Sequence, residues 1–142
     1  PYNTRIAFEP LHPMVCGLRS CVSSLGEALD VLGRLDETHQ IGLAVDAYAL
    51  WSEQNIADRL MQAGPLIRNF HISDWLPDTR DLRLDRGMPG DGLIDLRGWR
   101  RMVEASGYRG PVEVEIFSAH HWWQTAPDVM VQTIIDRMNN TY

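Results

Sequence analysis

Short apolar runs alternate along the chain with stretches whose apolar residues recur at helical spacing. Four of these runs predict buried strands, over residues 5–9, 41–46, 67–73 and 112–117. The strand-like runs alternate with helix-like stretches at intervals of roughly 30 residues, the size of a βαβ unit. The alternation therefore predicts an α/β fold built on a parallel sheet.

Turn-forming and capping residues mark where helices start and stop. Four helices are predicted, over residues 24–35, 54–63, 95–107 and 125–138. Ser24 and Glu27 have the spacing of a capping box, and Asp95 can cap the third helix in the same way. In the fourth helix the apolar spacing predicts that Val129, Ile134, Ile135 and Met138 face inward.

Four βα units are half of the eight that close a (β/α)8 TIM barrel, which typically needs about 250 residues. A parallel half barrel leaves two unpaired sheet edges and an uncovered inner face. We therefore interpret residues 1–142 as one domain that forms half of an assembly. Its partner is either an N-terminal half barrel or a second copy of the same chain, and the sequence leaves both open.

A potential metal ligand stands at or near the C-terminal end of each predicted strand: Glu9, Asp46, His71 and Glu115. Active sites of parallel barrels are built at that end. Three carboxylates and an imidazole suit Mg, Mn, Co or Zn. Two like charges about 4 Å apart repel by roughly 4 kcal/mol at an effective dielectric near 20, so converging carboxylates need a cation or a bound proton. The sequence therefore predicts one divalent metal ion.

Composition narrows the class of protein. With 142 residues and 44% hydrophobic content, the chain can bury a core of single-domain size. No run approaches the roughly 20 apolar residues of a membrane span. A formal charge of -6 without a basic block argues against nucleic acid as the main partner. Cys16 and Cys21 form no CxxC pair and no secretory signal accompanies them, so we expect free thiols in the cytoplasm.

Five segments stand in a characteristic order along the chain: residues 6–14, 42–48, 70–75, 85–92 and 112–118. They include Phe70-His-Ile-Ser-Asp-Trp75 and Val112-Glu-Val-Glu-Ile-Phe-Ser118. In this order and spacing the chain resembles the xylose-isomerase-like TIM barrels, the group of sugar phosphate isomerases and epimerases that also includes endonuclease IV. The resemblance covers essentially all 142 residues and implies four βα units from the C-terminal half of the barrel.

The resemblance implies the chemistry of the strand ends. Glu9, Asp46, His71 and Glu115 would hold the single metal of the family's isomerases and epimerases. Glu9 and Glu115 would also exchange a substrate proton from opposite sides, while the metal stabilises a cis-enediolate. The implied reaction is isomerisation or epimerisation of a sugar, sugar phosphate or related polyol ketone.

Further residues are expected near these ligands. Arg86 matches the family arginine that reaches a substrate oxygen, although it could instead be a surface arginine paired with Asp85. Asp74 and Asp85 are candidates to orient groups of the site. For Asp74 a helix-capping role is the alternative.

Loop residues supply three further candidates for substrate contact. His12 follows the first predicted strand, and Trp122 belongs to an aromatic cluster after Glu115 whose rings could cover a sugar. Solvation of His12 and packing of Trp122 are the alternatives. Arg19 could meet a phosphate or a carboxylate or remain solvated. Glu113 alternates with Glu115 and is expected to lie deeper or to face a polar group of the neighbouring strand.

Two departures from the family pattern affect the expected activity. Ala49 stands where family members often have a histidine three residues after the aspartate of Asp46. Asp85-Arg-Gly87 lacks the histidine of an Asp-x-His pair. Phosphodiester cleavage by three zinc ions is therefore not expected.

Two alternative functions remain. Removal of the same proton with loss of a β-hydroxyl would make the protein a lyase, like the inosose dehydratases that share this fold. Alternatively, the chain is a catalytically inactive half barrel that binds metal or a partner without turnover.

Overall fold

A computed structural model of the chain describes residues 4–35 and 40–142. Four parallel strands form one sheet, and their order in the sheet is their order in the chain. The strands are β1 Ile6–Phe8, β2 Ile41–Asp46, β3 Ile67–Ile72 and β4 Val112–Val114. The predicted α/β fold with a parallel sheet is confirmed.

In the part of the chain that the structure describes, five α-helices accompany the strands: α1 Leu25–Leu35, α2 Ala47–Leu50, α3 Ile56–Ala63, α4 Leu96–Ala105 and α5 Pro127–Asn140. Short 3-10 turns occupy Pro13–Val15, Gly64–Leu66 and Trp122–Gln124. Four of the helices match the predicted ones, whereas α2 was not predicted. It follows β2 directly because the carboxylate of Asp46 accepts a hydrogen bond from the Tyr48 N–H at 2.9 Å and caps the turn.

The predicted helix caps form as the spacing indicates, with one change. Ser24 Oγ accepts the N–H of Glu27 at 3.1 Å. The Glu27 carboxylate reaches back to the N–H of Ser23 at 2.8 Å, one residue before the partner that a regular capping box would use. Asp95 accepts the N–H of Gly98 at 2.9 Å and so starts α4.

The hydrophobic core lies where α1, α3 and α4 pack against the sheet. Leu25, Leu43 and Leu60 are completely buried there. Phe70 of β3 is also fully buried, and its ring stacks on Trp99 of α4 with centroids 6.3 Å apart. This packing fixes the strands and thereby the positions of the polar residues at their ends.

Of the four residues predicted to face inward, Ile134 and Met138 are partly buried. The prediction is wrong for Val129 and Ile135, which are 52% and 48% exposed. α5 has no buried residue and contacts the core through the partly buried Met138. The helix follows β4 at the edge of the sheet, and the described residues provide no further strand to cover its apolar side.

Within residues 4–35 and 40–142, no helix is both long enough and apolar enough to span a membrane.

Phe70→Ala should lower the free energy of unfolding by about 3–5 kcal/mol, because it removes a fully buried ring and leaves a cavity. Urea denaturation followed by circular dichroism measures the change. Met61→Ala is the control, since Met61 is 56% exposed on α3 and should cost less than about 1 kcal/mol. Equal losses in the two variants would contradict the packing described for the core.

Candidate metal centre

Three of the four predicted ligands converge at one edge of the sheet. Atoms of Glu9, His71 and Glu115 lie within 4.8 Å of one another. Glu9 directly follows β1, His71 belongs to β3, and Glu115 directly follows β4. Parallel strands bring their C-terminal ends to the same edge, so residues far apart in sequence meet there.

His71 has a nitrogen whose surroundings suit a cation. Its Nδ1 is buried and has no hydrogen-bond partner among the described residues. The atom lies 3.8 Å from Glu9 Oε1 and 3.9 Å from Glu115 Oε2, too far for hydrogen bonds. A metal ion bound by all three side chains would satisfy this nitrogen and balance the two carboxylates, so the donor set fits a divalent ion.

The other side of the His71 ring faces Glu113. His71 Nε2 lies 3.6 Å from Glu113 Oε2, and Glu113 Oε1 accepts a hydrogen bond from Asn69 Nδ2 at 3.1 Å. Glu113 therefore faces polar groups of the neighbouring strand, one of the two placements expected from the sequence. A carboxylate beside Nε2 favours a proton on that nitrogen. The lone pair on Nδ1 is then free to bind a cation, to which Glu9 and Glu115 would each contribute a carboxylate oxygen. The Glu9 carboxylate also raises the pKa of His71 above its ordinary value, against the opposing effect of burial.

Asp46 lies beside the three converging residues and not among them. It is completely buried, and its Oδ2 accepts a hydrogen bond from Arg86 Nη1 at 2.9 Å. Burial raises the pKa of Asp46 to about 6, although the Arg86 charge acts in the opposite direction. The buried carboxylate thus depends on nearby positive charge to stay ionised.

Arg86 connects Asp46 to Glu115. The same Nη1 donates to Glu115 Oε2 at 3.0 Å. The guanidinium lies over the ring of Tyr48 at 4.3 Å and over that of Phe117 at 5.1 Å. Two stacked rings and two carboxylates therefore hold Arg86 in place.

Asp85 does not pair with Arg86 in this arrangement. Its Oδ2 accepts the backbone N–H of Arg80 at 2.9 Å, within its own loop. The surface-arginine alternative for Arg86 is likewise absent from the structure, since its side chain is only 11% exposed.

Aromatic residues form one wall next to Arg86. The rings of Tyr48 and Trp75 stack with centroids 5.0 Å apart, and the ring of His12 lies 4.8 Å from Trp75. Burial lowers the pKa of His12, which favours the neutral imidazole. Burial also raises the pKa of Tyr48 to about 12, so its hydroxyl stays protonated and donates to the Leu82 carbonyl at 3.3 Å.

Asp74 and Trp122 lie in the surrounding loops, and within the described residues neither forms a hydrogen bond with the converging carboxylates. The buried carboxylate of Asp74 accepts the N–H groups of Trp75, Gly90 and Ile94 at 2.9–3.0 Å. The indole N–H of Trp122 donates to Asp91 Oδ2 at 3.3 Å. Both residues fasten the segment that carries Arg86, which matches the packing alternative for Trp122.

The sequence did not single out Tyr48 and Phe117 as partners of Arg86. Each stands two residues after a candidate ligand, Asp46 and Glu115 respectively. That shared offset is the one signal that could have identified them.

Two solved structures resemble the chain closely. Protein SMc04130 from Sinorhizobium meliloti 1021 is 45% identical, with a TM-score of 0.92 over 96% of this chain and 50% of that protein. The IOLI protein, in a crystal structure with a zinc atom bound, is 25% identical, with a TM-score of 0.74 over 97% of this chain and 50% of that protein.

Relatives of described activity include an isomerase and a dehydratase. Inosose isomerase of Bacillus subtilis is 27% identical over 138 residues, which are 92% of this chain and 46% of the relative. The 3-dehydroshikimate dehydratase of Pseudomonas aeruginosa is 31% identical over 109 residues, which are 68% of this chain and 16% of the relative. The chain thus spans about half the length of the inosose isomerase that it matches.

A family model described as xylose isomerase-like TIM barrel matches residues 1–133. This match agrees with the four parallel βα units and with the order of the sequence motifs. The chain belongs to the family of xylose isomerase-like TIM barrels.

Proposed function

We propose that this chain forms the metal-binding wall of an isomerase or epimerase that acts on a sugar, a sugar phosphate or a related polyol ketone. The observation that carries the proposal is the buried, unpartnered Nδ1 of His71 between Glu9 and Glu115. The inosose isomerase relative supports the reaction class, and the zinc atom in the IOLI structure supports a divalent metal.

Glu9, His71 and Glu115 would hold the ion, with Asp46 as the fourth ligand. Asp46 already shares Arg86 with Glu115, so its carboxylate belongs to the same group of charges. A divalent ion would supply Lewis-acid polarisation of a carbonyl and of the neighbouring hydroxyl. Its identity among Mn, Mg, Co and Zn stays open.

The two glutamates would move the substrate proton. Glu9 and Glu115 follow the two outermost strands of the sheet, and both approach Nδ1 of His71, at 3.8 and 3.9 Å. As the family resemblance implies, one carboxylate would remove a proton next to a carbonyl while the other returns it from the far side. Arg86 would donate to a substrate oxygen, and His12, next to Trp75, would line the substrate pocket.

The chain would act together with further βα units. The exposed apolar residues of α5 and the half-length match to the inosose isomerase support residues 1–142 as one half of a barrel. An N-terminal half barrel or a second copy of this chain would supply the other wall. Substrate would then bind between the two halves.

Elemental analysis of the purified protein should find one divalent ion per chain. Glu115→Gln should weaken metal binding by about 100-fold or more, because loss of a direct ligand exceeds the roughly 10–100-fold effect of outer partners. Asp85→Asn is the matched control, since that carboxylate bonds only to backbone in the described region and should leave metal content unchanged. A well-folded wild type without metal would contradict the proposal.

Proton exchange tests the reaction itself. Wild-type protein, assembled with its other half and incubated with ketoses and inososes in D2O, should introduce deuterium next to the carbonyl, as detected by NMR. Glu9→Gln and Glu115→Gln should each reduce kcat by about 10²–10⁴-fold.

Glu104→Gln serves as the control for that experiment, because Glu104 is exposed on α4 and pairs with Arg100. Its rate of exchange should equal that of the wild type. Full activity in both glutamate variants would rule out the assigned proton transfer. Absence of exchange with every substrate, despite bound metal, would favour the inactive half barrel.

Dehydration is the second candidate, favoured by the similarity to 3-dehydroshikimate dehydratase. One glutamate would remove the proton next to the carbonyl, and the other, in its protonated form, would give a proton to the β-hydroxyl. The carbon–oxygen bond then breaks, water leaves, and a carbon–carbon double bond forms. Product analysis separates the two reactions, since dehydration gives an unsaturated ketone that absorbs in the ultraviolet. Isomerisation and epimerisation give no such product.

A further inference from the structure

A small cavity of about 70 Å³ opens next to the carboxylates, between the loop after β1 and the loop that precedes Arg86. Its lining includes His12, Arg19, Ala49, Arg83 and Arg86. The buried Ala49 contributes only a methyl group to this wall. Three arginines therefore line a cavity that has room for a group of a few atoms.

The three arginines differ in how their charge is used. Arg86 is committed to Asp46 and Glu115. Arg19 and Arg83 have no carboxylate within 4.0 Å anywhere in residues 4–35 and 40–142. The nearby Asp81 instead accepts the backbone N–H groups of Arg83 and Leu84 at 2.8 and 2.9 Å. These backbone hydrogen bonds, helped by the charge of Arg83, lower the pKa of Asp81, but no ion pair between the two side chains forms among the described residues. Both arginines can therefore still form an ion pair with a ligand.

The balance of charge at the candidate metal centre explains why an anion would need Arg19 and Arg83. A divalent ion and Arg86 together would balance the three carboxylates Glu9, Asp46 and Glu115. The centre would then have no surplus positive charge for a negatively charged ligand, and the chain as a whole carries a formal charge of -6. An oxyanion near this centre would need its own cations, which Arg19 and Arg83 supply.

We propose that this cavity binds an oxyanion, either a phosphate or a carboxylate group, through Arg19 and Arg83. Arg86, Tyr48 and Phe117 line the cavity and also adjoin the ligand carboxylates, so one molecule can span both places. Its anionic end would lie at the two arginines and its reacting carbon between Glu9 and Glu115. The assignment of the anion to the substrate rests on the proposed function, whereas anion binding itself does not.

Isothermal titration with inorganic phosphate, and separately with acetate, tests the cavity in the full chain at low ionic strength. At least one of the two anions should bind the wild type. Arg19→Gln and Arg83→Gln should each weaken that binding by about tenfold or more, because each removes a charge-assisted hydrogen bond. Binding of phosphate alone would indicate a sugar phosphate as the substrate class, and binding of acetate alone would indicate a carboxylated substrate.

Arg80→Gln is the matched control. Arg80 is exposed in the same loop as Arg83 and does not line the cavity, so the variant makes the same change of charge elsewhere. Its affinity should stay within about twofold of the wild type, since exposed charges contribute little at a distance. An equal loss in Arg80→Gln would mean general charge attraction and would overturn the proposal.

A bound metal ion could itself bind phosphate. The Glu9→Gln variant distinguishes anion binding in the cavity from anion binding to the metal. Anion binding should persist in Glu9→Gln even if metal is lost. Failure of the wild type to bind either anion would overturn the proposal and leave the metal centre untouched. Binding that disappears in Glu9→Gln but survives in both Arg19→Gln and Arg83→Gln would assign the anion to the metal and would likewise overturn it.

Discussion

The parallel register of the sheet brings charged side chains close together at the strand ends. The rest of the site has to offset the repulsion between their carboxylates. Asp46 pairs in register with His71, and the Glu115 N–H donates to the Ile72 carbonyl at 3.0 Å just beyond β4. The ends of the strands therefore cannot separate without breaking backbone hydrogen bonds of the sheet. Because like charges repel strongly when partly buried, the carboxylates require positive charge within a few ångströms.

Arg86 supplies one part of that positive charge and determines how the loops are arranged. Its guanidinium can serve Asp46 and Glu115 together only while Tyr48 and Phe117 hold it from the sides. Its backbone N–H also donates to the Phe117 carbonyl, which ties its loop to the segment after β4. The buried carboxylate of Asp74 fastens the same loop further on. The space lined by Arg19, Ala49 and Arg83 is a consequence of this arrangement.

One side of the molecule is well packed and the other is not. α1, α3 and α4 bury the core, whereas Ile6 of β1 and the apolar residues of α5 remain exposed. In a closed barrel the outer strands pair with further strands and the inner face is covered. Glu9 and Glu115 follow the two outermost strands. Under the proposed function, the edges that would pair with further strands therefore adjoin the candidate metal ligands.

The sequence by itself determined the four strands, four of the helices and the identity of the converging residues. Periodic apolar positions and capping residues act locally, so the strands, four helices and the roles of Ser24 and Asp95 as caps followed from short segments. Glu9, His71 and Glu115 were recognisable because polar residues at the ends of buried strands are costly unless they are used. Only the tertiary structure decided that Arg86 bridges Asp46 and Glu115, and that Val129 and Ile135 are exposed. Those outcomes depend on loop conformation and on which elements pack together, and neither has a local periodic signal in the chain.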